Sequence, residues 1–346
     1  MRLELTKRNK CKINRVENDI KLLYHRFVII KWREDLKKMA LSDKKKVKLQ
    51  EYGFVVSAIV IQLSVFVVFY IFCNFQSILM AFQLRDTSSG EVFWTFQNFS
   101  NIWDRLHATT GVNLWDATKH TFGFFILGQI LFPISFMTSY FLYKKVPGYK
   151  IYRILFFIPS VLSAVVWTTI FKEVVSVKGP VAQIVQFIGG LDYVPDLLGD
   201  SRYALGTVMA YSVWFGVAGN FVLYSGTLTR IPYDLIEVGQ IDGIKWYQEL
   251  IKVIVPLVWP TVSTVWLMSL MGIFTADGQI LLLTGGGPDN STQTLGYYLF
   301  TQVYGKAETS QTYNYSSAIG LVLTVLTLPV VFVVKYLLEK VENVEY

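Results

Sequence analysis

The chain has 346 residues, of which 53% are apolar and only 16% charged, and its mean hydropathy is +0.41. That leaves too little polar surface for a soluble globule of this length, so the bilayer is the expected solvent. The net charge of +7 does not point to nucleic acid, because 16 of the 32 Lys and Arg fall in residues 1–50, with Lys44, Lys45, Lys46 and Lys48 just before the first long apolar run; this is the pattern of a segment retained in the cytoplasm.

The basic tail over residues 1–50 reads as an amphipathic helix with solvated charges, an anchor on anionic lipid. It carries no apolar stretch with a cleavage site, so the first spanning helix is expected to act as its own insertion signal. Cys11 lies in this tail and Cys73 in the first apolar run, so they are not placed to pair and read as reduced thiols. Six stretches approach the roughly 20 apolar residues that a membrane helix requires: residues 54–75, 120–143, 152–175, 203–228, 257–283 and 316–338. Pro133, Pro159 and Pro329 fall inside them, which is tolerated where neighbouring helices re-satisfy the backbone. The expected fold is therefore an all-α membrane protein of six transmembrane helices.

With the amino terminus inside, the inner segments hold 25 Lys and Arg and the outer segments seven. That asymmetry places both termini in the cytoplasm. On the outer side, residues 84–118 set Phe93, Trp94, Phe96, Phe99 and Trp103 among polar residues, as expected of a helix lying along the interface. Residues 178–202, rich in Gly and Pro, read as a loop with short helical pieces.

The inner connection between the fourth and fifth stretches, Ile231 to Pro256, is the most informative. Pro232 suits a first helical turn, and Ile231, Leu235, Val238 and Ile241 recur at helical spacing to give one apolar face. Asp242-Gly243 supplies a turn in which Gly takes the left-handed conformation that ends a helix. Trp246, Leu250 and Val253 continue on a second helix until Pro256 marks entry to the next span. A plain connector needs about two to eight residues, so a long helical knob with an apolar stripe beside Asp234 and Glu237 suggests docking to a partner, the structural elbow being the alternative.

The order Glu237, then Asp242-Gly243, then an apolar residue and Pro256 thirteen positions on, resembles the cytoplasmic signature loop of permease subunits in binding-protein-dependent ABC importers. Two small residues usually follow the Glu in that family; here they are Val238, a departure, and Gly239. A second segment, Leu282 to Pro288 with its triple glycine, followed by Ser291-Thr-Gln-Thr-Leu-Gly-Tyr-Tyr, is similar to the outer loop of the carbohydrate-uptake branch, which includes the maltose and glycerol-phosphate permeases. The resemblance covers residues 54–340 and implies the type I importer topology. It divides the chain into a basic tail (1–50), a first transmembrane helix with outer interfacial segment (51–118), a permease core of five helices (119–340) with the coupling loop 230–256, and a short cytoplasmic end (341–346). It also implies partners: a second homologous permease, two cytoplasmic ATPase subunits and an extracytoplasmic sugar-binding protein.

No phosphate-binding Gly-rich loop ending in Lys-Ser or Lys-Thr occurs in the sequence, so MgATP is expected on the partner ATPases, with no cofactor, catalytic residue or metal on this chain. In the resulting expectation Asp234, Glu237, Asp242, Gly243 and Pro256 couple to the ATPase. Polar residues inside spans are costly and so read as functional or as helix-packing groups; Asp277 is the clearest, with Thr275 and Gln279 beside it, although a position near the outer interface accounts for it equally. On the fourth span the resemblance to the maltose permease places sugar-contacting residues at Trp214 and Gly216, with Asn220 and Tyr224 one and two turns on. A sugar needs an aromatic face beside amides and hydroxyls. Two alternatives stay open, an importer of a non-sugar solute and an ion-coupled secondary transporter. The latter would show titratable groups in several spans and an inverted repeat. His25, His107 and His120 do not cluster in sequence, which argues against a membrane hydrolase.

Overall fold

The computed structural model describes residues 31, 44–85, 91–107, 111–189, 195–275, 278–305 and 310–341. Most of the basic tail, Asp277 and residues 342–346 lie outside the described residues. The chain divides into two compact units, Met1–Phe75 and Gln76–Tyr346.

The first unit contains the helix Lys44–Val65, which passes into the π-helical stretch Phe66–Phe72. From Tyr52 onward its side chains are exposed and apolar nearly all round, a composition that suits a membrane helix.

Five helices among the described residues are long and apolar enough to cross a membrane: Tyr52–Ala81, Leu114–Tyr143, Ser201–Leu228, Trp246–Phe274 and Thr312–Glu339. The expected third span is a bent pair, Tyr149–Val161 and Ala164–Ile188, turned by 113° at its break; counted as one span it makes six. Leu162 and Ser163 are both extended, and the Ser163 hydroxyl accepts from the Val166 N–H to start the second limb. A Ser that caps a new helix inside an apolar run thus breaks what hydropathy alone reads as continuous. In numbering below, this pair is the third span.

The fifth span also differs from expectation. Its helix starts at Trp246, well before residue 257, and ends at Phe274 rather than 283. A π-helical turn, Leu250–Ile254, precedes Pro256, and the Val255 N–H bonds back to the Leu250 carbonyl. The wider turn carries the helix through a proline that would otherwise interrupt it. Beyond the span, Gly278–Leu283 forms a separate short helix.

The second span, Leu114–Tyr143, is central to the packing of the second unit. Small residues let the fourth span approach it: a Cβ on Gly216 would lie 3.0 Å from Leu131 Cδ1, and one on Gly123 2.9 Å from Met209 Cε. Ser135 Oγ donates to the Val217 carbonyl at 2.7 Å across the same contact. Close backbones and an interhelical hydroxyl bond are what hold helices together in lipid, where burial of apolar surface gives no net drive. The fifth and sixth spans are tied by Trp259 Nε1, which donates to the Leu338 carbonyl at 3.1 Å.

Before the second span stands a small antiparallel hairpin, Gln83–Arg85 with Val92–Trp94, followed by the amphipathic helix Gln97–Leu106. The hairpin was not legible as strands. Buried Asn98 fastens this segment by donating to the carbonyls of Ala81 and Gln83.

Candidate functional site

Two features stand at the places marked by the sequence. The first is the elbow between the fourth and fifth spans. Its first limb is the helix Tyr233–Ile241. The limb ends in a closed cap: the Asp242 N–H bonds to the Val238 carbonyl at 3.0 Å, the Ile244 N–H bonds to the Gly239 carbonyl at 3.1 Å, and Gly243 sits at φ +68°. This is the Schellman arrangement, in which a left-handed residue satisfies the last carbonyls of the helix. Ile244 folds back over Gly239, where an added Cβ would lie 2.7 Å from Ile244 Cδ1. Gly239 is buried and Val238 is 56% exposed, so the first of the two expected small positions faces outward and tolerates Val, while the second admits no side chain unless Ile244 moves.

The elbow is amphipathic in a useful way. Ile231 and Ile236 are buried in a cluster with Phe136, Tyr140, Leu228 and Ile254, which roots the first limb in the second, fourth and fifth spans. Leu235, Val238 and Ile241 face outward, Ile241 at 84% exposure, and Asp234 and Glu237 are exposed beside them. Of the four residues expected to share one face, Ile231 belongs instead to the root. Asp242 and Gly243 are exposed at the corner, and Pro256 lies inside the fifth span rather than at its edge.

The second feature is a cavity of about 290 Å³ between the second, fourth and fifth spans. Phe124, Phe125, Phe132 and Phe215 supply aromatic wall, and Ser212, Asn220, Ser269 and Gln279 supply polar groups. Ser212 Oγ donates to Gln279 Oε1 at 3.0 Å. Gln129 sits behind the wall: it accepts from Trp266 Nε1 at 2.6 Å and donates to Ser269 Oγ at 3.1 Å. Asn220 marks the break in the fourth span between Ser201–Gly219 and Phe221–Leu228, so its amide stands at an interruption of the helical ladder. Neutral hydroxyls and amides beside aromatic rings can hydrogen-bond a polyhydroxyl molecule and stack on its C–H faces.

Of the residues expected along a substrate path, the structure brings Gly216, Asn220 and Gln279 together on this cavity. Trp214 lies off it, edge-on to Trp167 with ring centroids 5.1 Å apart. Tyr224 is 1% exposed and packed edge-on against Phe132 and Phe136. Thr275 donates to the Gly272 carbonyl and faces an apolar groove with Met271, Phe274 and Leu323. Sequence reasoning missed Ser212, although Ser212, Gly216 and Asn220 at spacings of four trace one face of a helix, whereas Trp214 stands about 200° around from Gly216. It also missed Glu249, whose partner is 105 positions away.

The triple-glycine segment is a fixed loop. Gly285 and Gly286 take φ of +60° and +81°, and a Cβ on Gly286 would fall on Gln293 Oε1 and Tyr297 Cε1. The hydroxyls of Thr284 and Thr292 are 2.7 Å apart, and Thr292 donates to the Gly287 carbonyl. The loop is stapled to the second span, where the His120 ring meets the Gln293 carbonyl at 2.9 Å and Thr121 Oγ1 accepts from the Leu295 N–H.

Comparison with known proteins accords with this arrangement. The chain is 34% identical over 201 residues to the multiple sugar-binding transport system permease protein MsmF of Streptococcus mutans, a stretch that is 58% of this chain and 67% of that one. It is 29% identical over 190 residues to the diacetylchitobiose uptake system permease protein NgcF of Streptomyces coelicolor, 54% of this chain and 52% of that one. The matched stretches therefore span about half to two thirds of these relatives. A chain in the crystal structure of a bacterial ABC transporter that imports the acidic polysaccharide alginate superposes with a TM-score of 0.69 at 17% identity, covering 87% of this chain and all of that one; this likeness concerns the fold. Residues 132–343, which hold the elbow and most of the residues lining the cavity, match the family described as the binding-protein-dependent transport system inner membrane component, and with most of its length in that match the chain is a member of this family.

Proposed function

We propose that the chain is one permease subunit of an ATP-driven sugar importer, lining part of the translocation path and coupling through residues 230–256 to separate ATPase subunits. The observation that carries the proposal is the two-sided elbow: Ile236 on its first limb and Ile231 just before it are rooted in a cluster with three spans, and the limb's other face presents Leu235, Val238 and Ile241 beside Asp234 and Glu237. An exposed apolar stripe on a cap-locked helix is what a partner's groove would take, with the carboxylates meeting basic residues at its rim. Closure of an ATPase dimer then pushes the elbow as a unit, with Asp242-Gly243 setting the angle between limbs. Both termini and the elbow lie in the cytoplasm in this reading, by the Lys and Arg asymmetry.

The remaining partners are a second homologous permease, which closes the other side of the path, and an extracytoplasmic binding protein; a solved alginate transporter of similar fold is in complex with an alginate pentasaccharide-bound periplasmic protein. The sugar assignment rests on the aromatic and amide lining of the cavity and on relatives named for sugars. Relatives named for sn-glycerol 3-phosphate, such as the UgpA protein of Pectobacterium atrosepticum at 27% identity, support a polyol phosphate as the second reading.

The test is reconstitution of the chain with its permease, ATPase and binding-protein partners in vesicles, followed by uptake of labelled lactose, diacetylchitobiose and sn-glycerol 3-phosphate. ATP-dependent uptake of a sugar is expected, with Asn220→Ala and Gln279→Ala raising its KM. Uptake by the purified chain alone under an ion gradient, or labelling of Val238→Cys from outside intact cells, overturns the proposal.

A further inference from the structure

Glu249 is the one fully buried carboxylate among the described residues, at 1% exposure. It sits where the second limb of the elbow, Trp246–Glu249, passes into the π-helical turn of the fifth span. All its partners come from the last turn of the second span. Lys144 Nζ lies 2.6 Å from Oε2, and Tyr140 Oη donates to Oε1 at 3.0 Å while also lying 3.2 Å from the Trp246 carbonyl. The Phe141 and Trp246 rings are 5.4 Å apart. The approach to the first limb is held from the same turn, since Tyr143 Oη donates to the Ile231 carbonyl at 3.3 Å.

This is an expensive way to hold two helices together if stability were the only need. A buried ion pair gains little over well-packed apolar side chains, because desolvation offsets its attraction. What it adds is direction: charge-assisted hydrogen bonds fix a distance and an angle that apolar contact leaves soft. The elbow joins the fourth and fifth spans through the chain itself, but it meets the second span through side chains alone, these polar bonds and the apolar cluster of Ile231 and Ile236 with Phe136 and Tyr140. The second span in turn supplies Phe124, Phe125, Gly128 and Phe132 to the cavity. Lys144 is also the C-cap residue of that helix, its backbone N–H bonding to the Leu142 and Tyr140 carbonyls, at the end where positive charge is favoured.

We propose that Glu249 and Lys144 are positioning residues that clamp the elbow to the second span, so that any displacement of the elbow is passed to the cavity wall on that span as well as to the fourth and fifth. The inference rests on the coupling reading above. Its test uses spin labels at Ile241→Cys on the elbow and Ile130→Cys on the second span, both exposed, with Cys11 and Cys73 replaced by Ser, in the complex with its ATPase partners. With the native clamp, the label distance keeps one narrow distribution with and without trapped ATP. Glu249→Gln is expected to broaden or shift it by about 2 Å or more, the scale of helix shifts at interfaces, while ATPase subunits still co-purify and sugar carried per ATP falls. Lys144→Arg, which keeps the charge, retains the native distribution; Lys144→Met behaves like Glu249→Gln. An unchanged distribution in Glu249→Gln overturns the clamp whatever the transport assay gives. Failure of the native chain to bring down an ATPase overturns the coupling reading instead, and the label distance without nucleotide still judges the clamp.

Discussion

Replacing Gly243 separates the two ways in which a side chain can damage the elbow. Gly243 has φ +68°, and a Cβ there meets nothing within 4 Å. Size alone is therefore harmless, and the cost comes from the backbone conformation. Holding an ordinary L-residue in the left-handed region costs about 1–2 kcal/mol, Asn tolerates it best, and a β-branched residue tolerates it worst. The native corner also holds the 3.0 Å and 3.1 Å cap bonds of Asp242 and Ile244, which a residue forced out of that region gives up. The expected order of harm is Asn, then Ala, then Val, with Ala depleting the native corner by about tenfold for each 1.4 kcal/mol it loses. Sugar uptake and ATP hydrolysis by reconstituted complexes, measured beside co-purification of the ATPase, check the order. The reasoning is refuted if Asn impairs coupling as much as Val, for then volume or contact with the partner decides, not the turn.

Gly239→Leu drives a side chain into Ile244 and is expected to destabilise the elbow by about 1–3 kcal/mol, as overpacking does; Val238→Ala changes thermal stability by less than about 0.5 kcal/mol but weakens ATPase co-purification. Gly286→Ala meets both a positive φ and occupied space, so a drop in the thermal midpoint of the detergent-solubilised chain is expected, against no drop for Gly128→Ala, where a Cβ is unopposed. Gln279→Ala should raise the KM for the transported sugar about two- to tenfold, the range of one hydrogen bond of about 0.5–1.5 kcal/mol, whereas Trp214→Ala leaves KM unchanged. Asp200 is held down to about 2 by hydrogen bonds from the Arg202 side chain and backbone. A carboxyl with a lowered pKa contributes stability above the ordinary carboxylate value of about 4 and loses it as pH falls through the folded value. The difference in thermal midpoint between the native chain and Asp200→Asn should therefore be present at neutral pH and fade as pH falls from about 4 toward 2.

Where the determinants are local, the sequence was readable. Pro232, Asp242-Gly243 and the apolar spacing between them mark the elbow because caps and turns depend on a few adjacent residues. Hydropathy found the fourth and sixth spans within about four residues and the second with its start six residues late. It missed the break in the third because Ser163 starts a new helix inside an apolar run, and misplaced the end of the fifth because Ile280–Leu283 is apolar yet lies beyond Gly278 in a separate helix. The cavity was half legible: Gly216, Asn220 and Gln279 line it, but Trp214, carried over with Gly216 from the same family likeness, stands about 200° around the helix from it. Glu249 gave no local signal, since a carboxylate in an inner loop reads as solvated until Lys144 and Tyr140 are folded against it.

The second span is fastened at both of its ends. At one end Thr121 and His120 hold the glycine loop, and at the other Lys144 and Tyr140 hold the elbow. Thirty helical residues extend about 45 Å, so this single helix works as a tie rod across the thickness of the bilayer. A tie rod carries tension as well as thrust, and a binding event at the glycine loop would thus be felt at the elbow by the same route, in reverse.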